Sequence, residues 1–369
     1  LEPLKALTNI VSELPLLIIG SFRNDERRRL PDELPIMTLL ELDRLSEAGI
    51  AELSASMLGD VGKAKPIVDL LQRETEGNTF FIVEVVRALA EDAGNLDEIG
   101  VTTLPTQVFT GGVRQVIRRR LDRVPKTARP LLNMAAVTGR IIDRQVLSHL
   151  AENLPDRYRY ELNNWLTLCA EAAVLEVQED VWQFAHDKLR EGLLSNLTPQ
   201  QLPELHAQVA TAIEATYPND KTRAAVLVEH WHAAGNSQKA IQYAGIAGER
   251  ALIMGAFNEG KALLSSVLDS DTDDESSQSR MLLLRLMGAL YWRTSDYDQA
   301  ALYYAQSLAL AHESGDMVSA AEALNGLSFV DCLRANYEFA RERGEAALEI
   351  SREVGNKLNE GRALGNLGI

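Results

Sequence analysis

Apolar positions change their spacing several times along the chain. Residues 14–20, "LPLLIIG", are apolar at almost every position and bounded by Pro and Gly. That predicts a fully buried strand of a parallel sheet, whose partner strands would lie upstream of Leu1. The amphipathic "LEPLKALTNIVSEL" before it predicts a helix. From Leu40 to Ala90 the spacing is helical, through "LLELDRLSEAGIAELSASML", "AKPIVDLLQRETEG" and "NTFFIVEVVRALAEDAG", with Gly77 and Asn78 punctuating the last two. Residues 93–106 read as a linker. Four helices are predicted over 107–123, 126–138, 143–151 and 157–171. Period-2 alternation in "AVLEVQEDVWQFA" around a central "QED" then predicts a β-hairpin. An amphipathic helix follows, with Leu189, Leu193, Leu194 and Leu197 on its buried side. Helices closed by a hairpin is the layout of a winged-helix domain.

From about Pro203 the pattern is helical and repetitive. Phe257, Tyr297 and Tyr337 recur at an even interval of about 40 residues, as do Gly260, Ala300 and Ala340. Gly315 and Gly355 keep the same period. Self-similarity at this spacing predicts stacked helical hairpins, with the small residue three after each aromatic allowing close helix approach.

Composition narrows the function classes. The chain has 369 residues and a formal net charge of −16, from 37 Lys and Arg against 53 Asp and Glu. The acidity is spread over both halves, which disfavours nucleic acid as a partner. "VRQVIRRRLDRV" is basic, but Val113, Val116, Ile117 and Leu121 form an apolar stripe and Arg114, Arg118 and Arg119 fall on other faces, which reads as a solvated helix face. Two distant cysteines, Cys169 and Cys332, argue against a disulfide framework or a thiolate zinc site and fit a reducing cytoplasm. No apolar run reaches the ~18–20 residues of a membrane span. The chain starts at Leu1 and stops inside a helical pattern, so it reads as an internal piece of a longer protein.

The order of "EGNTFF", "LPTQV…VIRRRLDRV", "LLNMAAVTGR", "FAHDKLREGLLSNL" and the helical repeats resembles signal-transducing P-loop ATPases of the STAND class. More narrowly, it resembles the ATPase–tetratricopeptide modules attached to bacterial nucleotide cyclases, Ser/Thr kinases and LuxR-type regulators. The resemblance implies a mainly α chain. Residues 1–39 would be the C-terminal end of an α/β ATPase core, 40–104 a helical lid, 105–202 a winged-helix-like domain, and 203–369 tetratricopeptide-like repeats. It implies the sensing half of an ATP-dependent switch. Arg23 would be the sensor arginine, Gly77 and Asn78 would lie in the lid motif, and His186 would face the diphosphate of ADP. At the motif's usual Pro position this chain has Thr79. ATP or ADP and Mg would belong to the intact parent. This chain has no G-x-x-x-x-G-K-[ST], so alone it is expected to hold no cofactor and to have no ATPase activity. A protein or small molecule would bind the repeats, with the ATPase core and an output domain in cis. A pure interaction scaffold and, further back, a DNA-reading regulator are the alternatives.

The stretch 186–191 packs His186, Asp187, Arg190 and Glu191 into two turns. A zinc protease needs H-E-x-x-H, and here the position four after His186 is Arg. Ser195 lies about 13 Å of helical rise from His186, too far for a nucleophile and its base. Asp187 with Arg190, and Arg190 with Glu191, are expected as local ion pairs.

Overall fold

The structure is a computed structural model, and it describes residues 2–11, 14–22, 30–93, 113–269 and 277–368. Arg23, Arg27 to Arg29 and most of the predicted linker lie outside the described residues. The described part is mainly helical and divides into two units, residues 19–198 and residues 1–18 with 199–369.

The second of these contains α1 (Glu2–Ile10). In the unit of residues 19–198, α2 (Leu30–Glu33) is a single turn. The predicted helix from Leu40 begins later, as α3 (Glu47–Leu58), because Ser46 caps it by accepting the Gly49 N–H. α4 (Lys65–Thr75) and α5 (Thr79–Ala93) complete a three-helix group. Its core is Ile50, Ile67, Leu71, Ile82, Val85 and Val86.

α6 (Val113–Arg123), α7 (Arg129–Thr138), α8 (Arg144–Glu152) and α9 (Leu162–Glu171) follow. Then come β1 (Leu175–Gln178), β2 (Val181–Phe184) and α10 (Asp187–Ser195). The strands pair antiparallel, with Leu175 opposite Phe184 and Gln178 opposite Val181. Glu179 and Asp180 form the two-residue loop with φ of 50° and 65°. Two positive φ values are the signature of a type I′ turn, whose twist matches the strands. Ile141 bridges to Gln183 on the other edge of β2, through Ile142 N–H to the Trp182 carbonyl at 2.8 Å and Phe184 N–H to the Arg140 carbonyl at 3.0 Å. Trp165 and Phe184 are fully buried, and the Trp165 indole N–H reaches the Ala128 carbonyl at 3.0 Å.

The predicted strand at 14–20 does not form; residues 16–20 have no regular structure, and Leu17 and Ile19 are 81% and 84% exposed. An all-apolar strand holds only where neighbours pair its backbone and cover both faces. Among the described residues the only strands are those of the hairpin and its bridge.

The other unit continues with α11 (Gln201–Thr216), α12 (Ala224–Ala233), α13 (Ser237–Met254), α14 (Phe257–Leu268), α15 (Ser277–Arg293), α16 (Tyr297–Ser314), α17 (Met317–Leu333), α18 (Tyr337–Glu353) and α19 (Lys357–Leu367). Each packs on the next, and α13, α15, α17 and α19 also pack in series. The starts of α13, α15, α17 and α19 are evenly spaced, at Ser237, Ser277, Met317 and Lys357, and those of α14, α16 and α18 keep the same interval. Left-handed residues end the helices at Gly235, Gly255, Ser295, Gly315, Ala335 and Gly355. Just after four of these, Asn236, Asp296, Asp316 and Asn356 each accept a backbone N–H as helix caps.

Candidate functional site

Gly77 and Asn78 form the α4–α5 corner. Glu76 ends α4 in the left-handed region, Gly77 has φ of 80°, and Asn78 Oδ1 accepts the Phe81 N–H at 3.3 Å, starting α5. The Gly77 carbonyl accepts the Leu45 N–H at 2.9 Å. A Cβ at Gly77 would run into the Leu45 backbone, so both the space and the positive φ demand glycine. Thr79, where the lid motif usually has Pro, is simply the first residue of α5.

His186 is the N-cap of α10. Its Nδ1 accepts the Lys188 N–H at 3.1 Å, satisfying a donor that the first helical turn leaves unpaired. Its neighbours pair differently from the sequence expectation. Asp187 pairs with Arg140 at 3.3 Å, and Glu191 with Lys188 at 2.5 Å. Arg190 makes neither expected pair; its Nε donates to the Ala136 carbonyl at 2.7 Å. That carbonyl sits in the last turn of α7, where no helical N–H remains to meet it.

Sequence reasoning missed one residue that the structure makes prominent. Arg120 is buried, pairs with buried Glu84 of α5, and donates to the Ala173 carbonyl at 2.7 Å, just before β1. The three groups tie α5, α6 and the entry to the hairpin together. Burial pushes the Glu84 carboxyl above its ordinary range, while Arg120 and Arg87 beside it pull the other way. A signal was present: Arg120 lies among Ile117, Leu121 and Val124, all buried, at helical i, i+3, i+4, i+7 spacing. Arg118 and Arg119, by contrast, are exposed.

In the repeats, Gly260, Ala300 and Ala340 are buried, while Tyr337 is 65% exposed and Phe257 and Tyr297 are half-buried. A Cβ on Gly260 would stand 2.7 Å from that of Ala251. Tyr304 lies against two glycines: a Cβ at Gly288 would meet its ring at 2.9 Å and one at Gly326 at 2.5 Å. Among the described residues no group of three or more His, Cys, Asp or Glu could hold a metal, and no helix is long and apolar enough to cross a membrane.

No protein-family model and no curated protein matches the chain. Among solved structures, it is similar to a signal transduction ATPase with numerous domains (STAND) protein with a tetratricopeptide repeat sensor, from Pyrococcus horikoshii. The similarity has a TM-score of 0.31 and 12% identity over 89% of this chain. The chain spans 63% of that protein's length.

Proposed function

We propose that the chain is the regulatory half of an ATP-dependent signalling switch. In this reading residues 40–104 are the lid, 105–202 a winged-helix module and 203–369 tetratricopeptide-like repeats that receive a ligand or a partner protein. One observation carries it: the order helix, bridging strand, helix, helix, hairpin over 129–184, with the 141 bridge and β1 on opposite edges of β2. That order supports a winged helix, and the Arg120 tie to Glu84 supports its moving together with the lid. Nucleotide and Mg would be held by a phosphate-binding loop in a longer parent, with Arg23 and His186 reporting the nucleotide state. An output domain would act in cis, in the cytoplasm. The test is ATP and ADP affinity of that longer protein carrying Arg23→Ala or His186→Ala. If neither substitution changes affinity or output, the sensing assignment fails.

The competing reading is an interaction scaffold independent of nucleotide. It is favoured by the long repeat array. A longer protein that binds its partner equally with and without ATP would establish it.

A further inference from the structure

In a repeat array, positions that keep the period build the stack, and departures from it mark what one repeat does differently. Helices α15 and α16 are matched one repeat later by α17 and α18. Four departures between these hairpins meet in one place: Tyr291 becomes Asp331, Tyr303 becomes Arg343, Thr294 becomes Arg334 and Gln299 becomes Phe339. All four new residues line an open pocket of about 450 Å³ between α16, α17 and α18, together with buried Leu327 and with Leu302, which is 49% exposed. That volume is in the range of sites for small ligands.

The charges on its wall are not equivalent. Asp331 is 5% exposed and closed onto Arg343, so this pair is a fixed part of the wall. Arg334 pairs with Asp298 at 2.8 Å, and the Asp298 side chain is 84% exposed. An ion pair that open to water is worth under about 1 kcal/mol. A ligand carboxylate can therefore displace Asp298 into solvent and take the Arg334 guanidinium in a two-pronged geometry. Asn336 stands on the same rim, and unlike Asn236, Asp296, Asp316 and Asn356 its side chain makes no cap bond.

We propose that this cavity binds a small ligand made of an apolar body and one carboxylate, with Arg334 taking the carboxylate and Phe339, Leu302 and Leu327 the apolar part. The proposal deepens the reading of the repeats as the ligand-receiving part. Its test, binding to the chain itself, needs no nucleotide, so it can fail while the switch reading stands and the reverse.

Titration calorimetry with octanoate and with the free acid of N-acetyl-Ala-Ala-Leu distinguishes an acyl acid from a peptide C-terminus. Each is compared with its neutral amide. At least one acid is expected to bind, with the matching amide and the Arg334→Gln variant each weaker by roughly tenfold, the loss of one charge-assisted contact. Asp298→Asn, at an exposed position, should strengthen binding by about two- to fivefold by freeing Arg334. Absence of heat from both acids up to about 1 mM, the weak end of the affinity scale, overturns the proposal. So does an amide that binds as well as its acid, or unchanged affinity in Arg334→Gln when circular dichroism shows it folded.

Discussion

Asp331 and Arg343 form an ion pair at the two positions where, one repeat earlier, Tyr291 and Tyr303 stack at 5.3 Å between ring centroids. The same helix-pair geometry is thus closed once by aromatic packing and once by charge. Removing one partner of a buried pair leaves the other uncompensated, while replacing both with packed side chains can be neutral. Arg343→Ala should destabilise by about 2 kcal/mol, below the usual range because Arg343 is partly exposed. The double variant Asp331→Tyr with Arg343→Tyr should recover most of that loss in urea denaturation and fill the cavity beside it.

The Glu84–Arg120 pair is more deeply buried, at 5% and 7% side-chain exposure. Glu84→Gln or Arg120→Met alone should cost about 3–5 kcal/mol, and Glu84→Leu with Arg120→Met should lie near the parent. Equal costs for the double and single variants would show that the pair itself, rather than its desolvated remainder, supplies the stability. Hydrogen exchange at the N-terminal residues of β1 would rise in Arg120→Met, because the Ala173 carbonyl loses its donor.

Ala335 sits at φ of 60° at a corner where Ser295, one repeat earlier, and Gly255, two repeats earlier, are also left-handed, at 61° and 72°. An L-residue pays about 1–2 kcal/mol to be left-handed, partly offset by the entropy glycine adds to the unfolded chain. Ala335→Gly is expected to stabilise by about 0.5–1 kcal/mol, read as a higher urea midpoint with unchanged slope. Gly355→Ala, where a Cβ would meet nothing within 4 Å, should destabilise by about 1 kcal/mol through backbone strain alone.

Burial pushes the Cys169 thiol up to about 12 from 9.0. The folded chain therefore holds this proton more tightly than the unfolded chain. Its contribution is complete below pH 9 and is lost as pH rises from about 9 towards 12. The difference in unfolding free energy between parent and Cys169→Ala should narrow over that window, by at most about 1.4 kcal/mol per pH unit. At pH 8, thiol reagents should label half-exposed Cys332 and reach Cys169 only after unfolding.

His186 has a structural duty that nucleotide tests must separate from sensing. His186→Ala should cost about 1 kcal/mol through loss of the α10 cap, and His186→Asn, itself a good cap, should cost little. A change in nucleotide response shared by both variants would belong to the imidazole; one confined to His186→Ala would belong to the cap.

Local signals were enough for the helices and the hairpin named next. The even spacing of Phe257, Tyr297 and Tyr337 foretold the helix starts in the repeats, "QED" the hairpin turn, and Gly77 with Asn78 the α4–α5 corner, because periodicity, turn preference and capping act within a few residues. Whatever depends on a distant neighbour was decided by the tertiary structure. Arg190 turned from its helix partners to a carbonyl of α7, far back in the sequence, because a helix end offers an unsatisfied acceptor. Arg120 went inside because Glu84 and the Ala173 carbonyl meet its charge there. The apolar run at 14–20 formed no strand, since a strand's hydrogen bonds lie outside itself. Sequence alone set the period of the stack; only packing showed which of its departures face one another across a cavity.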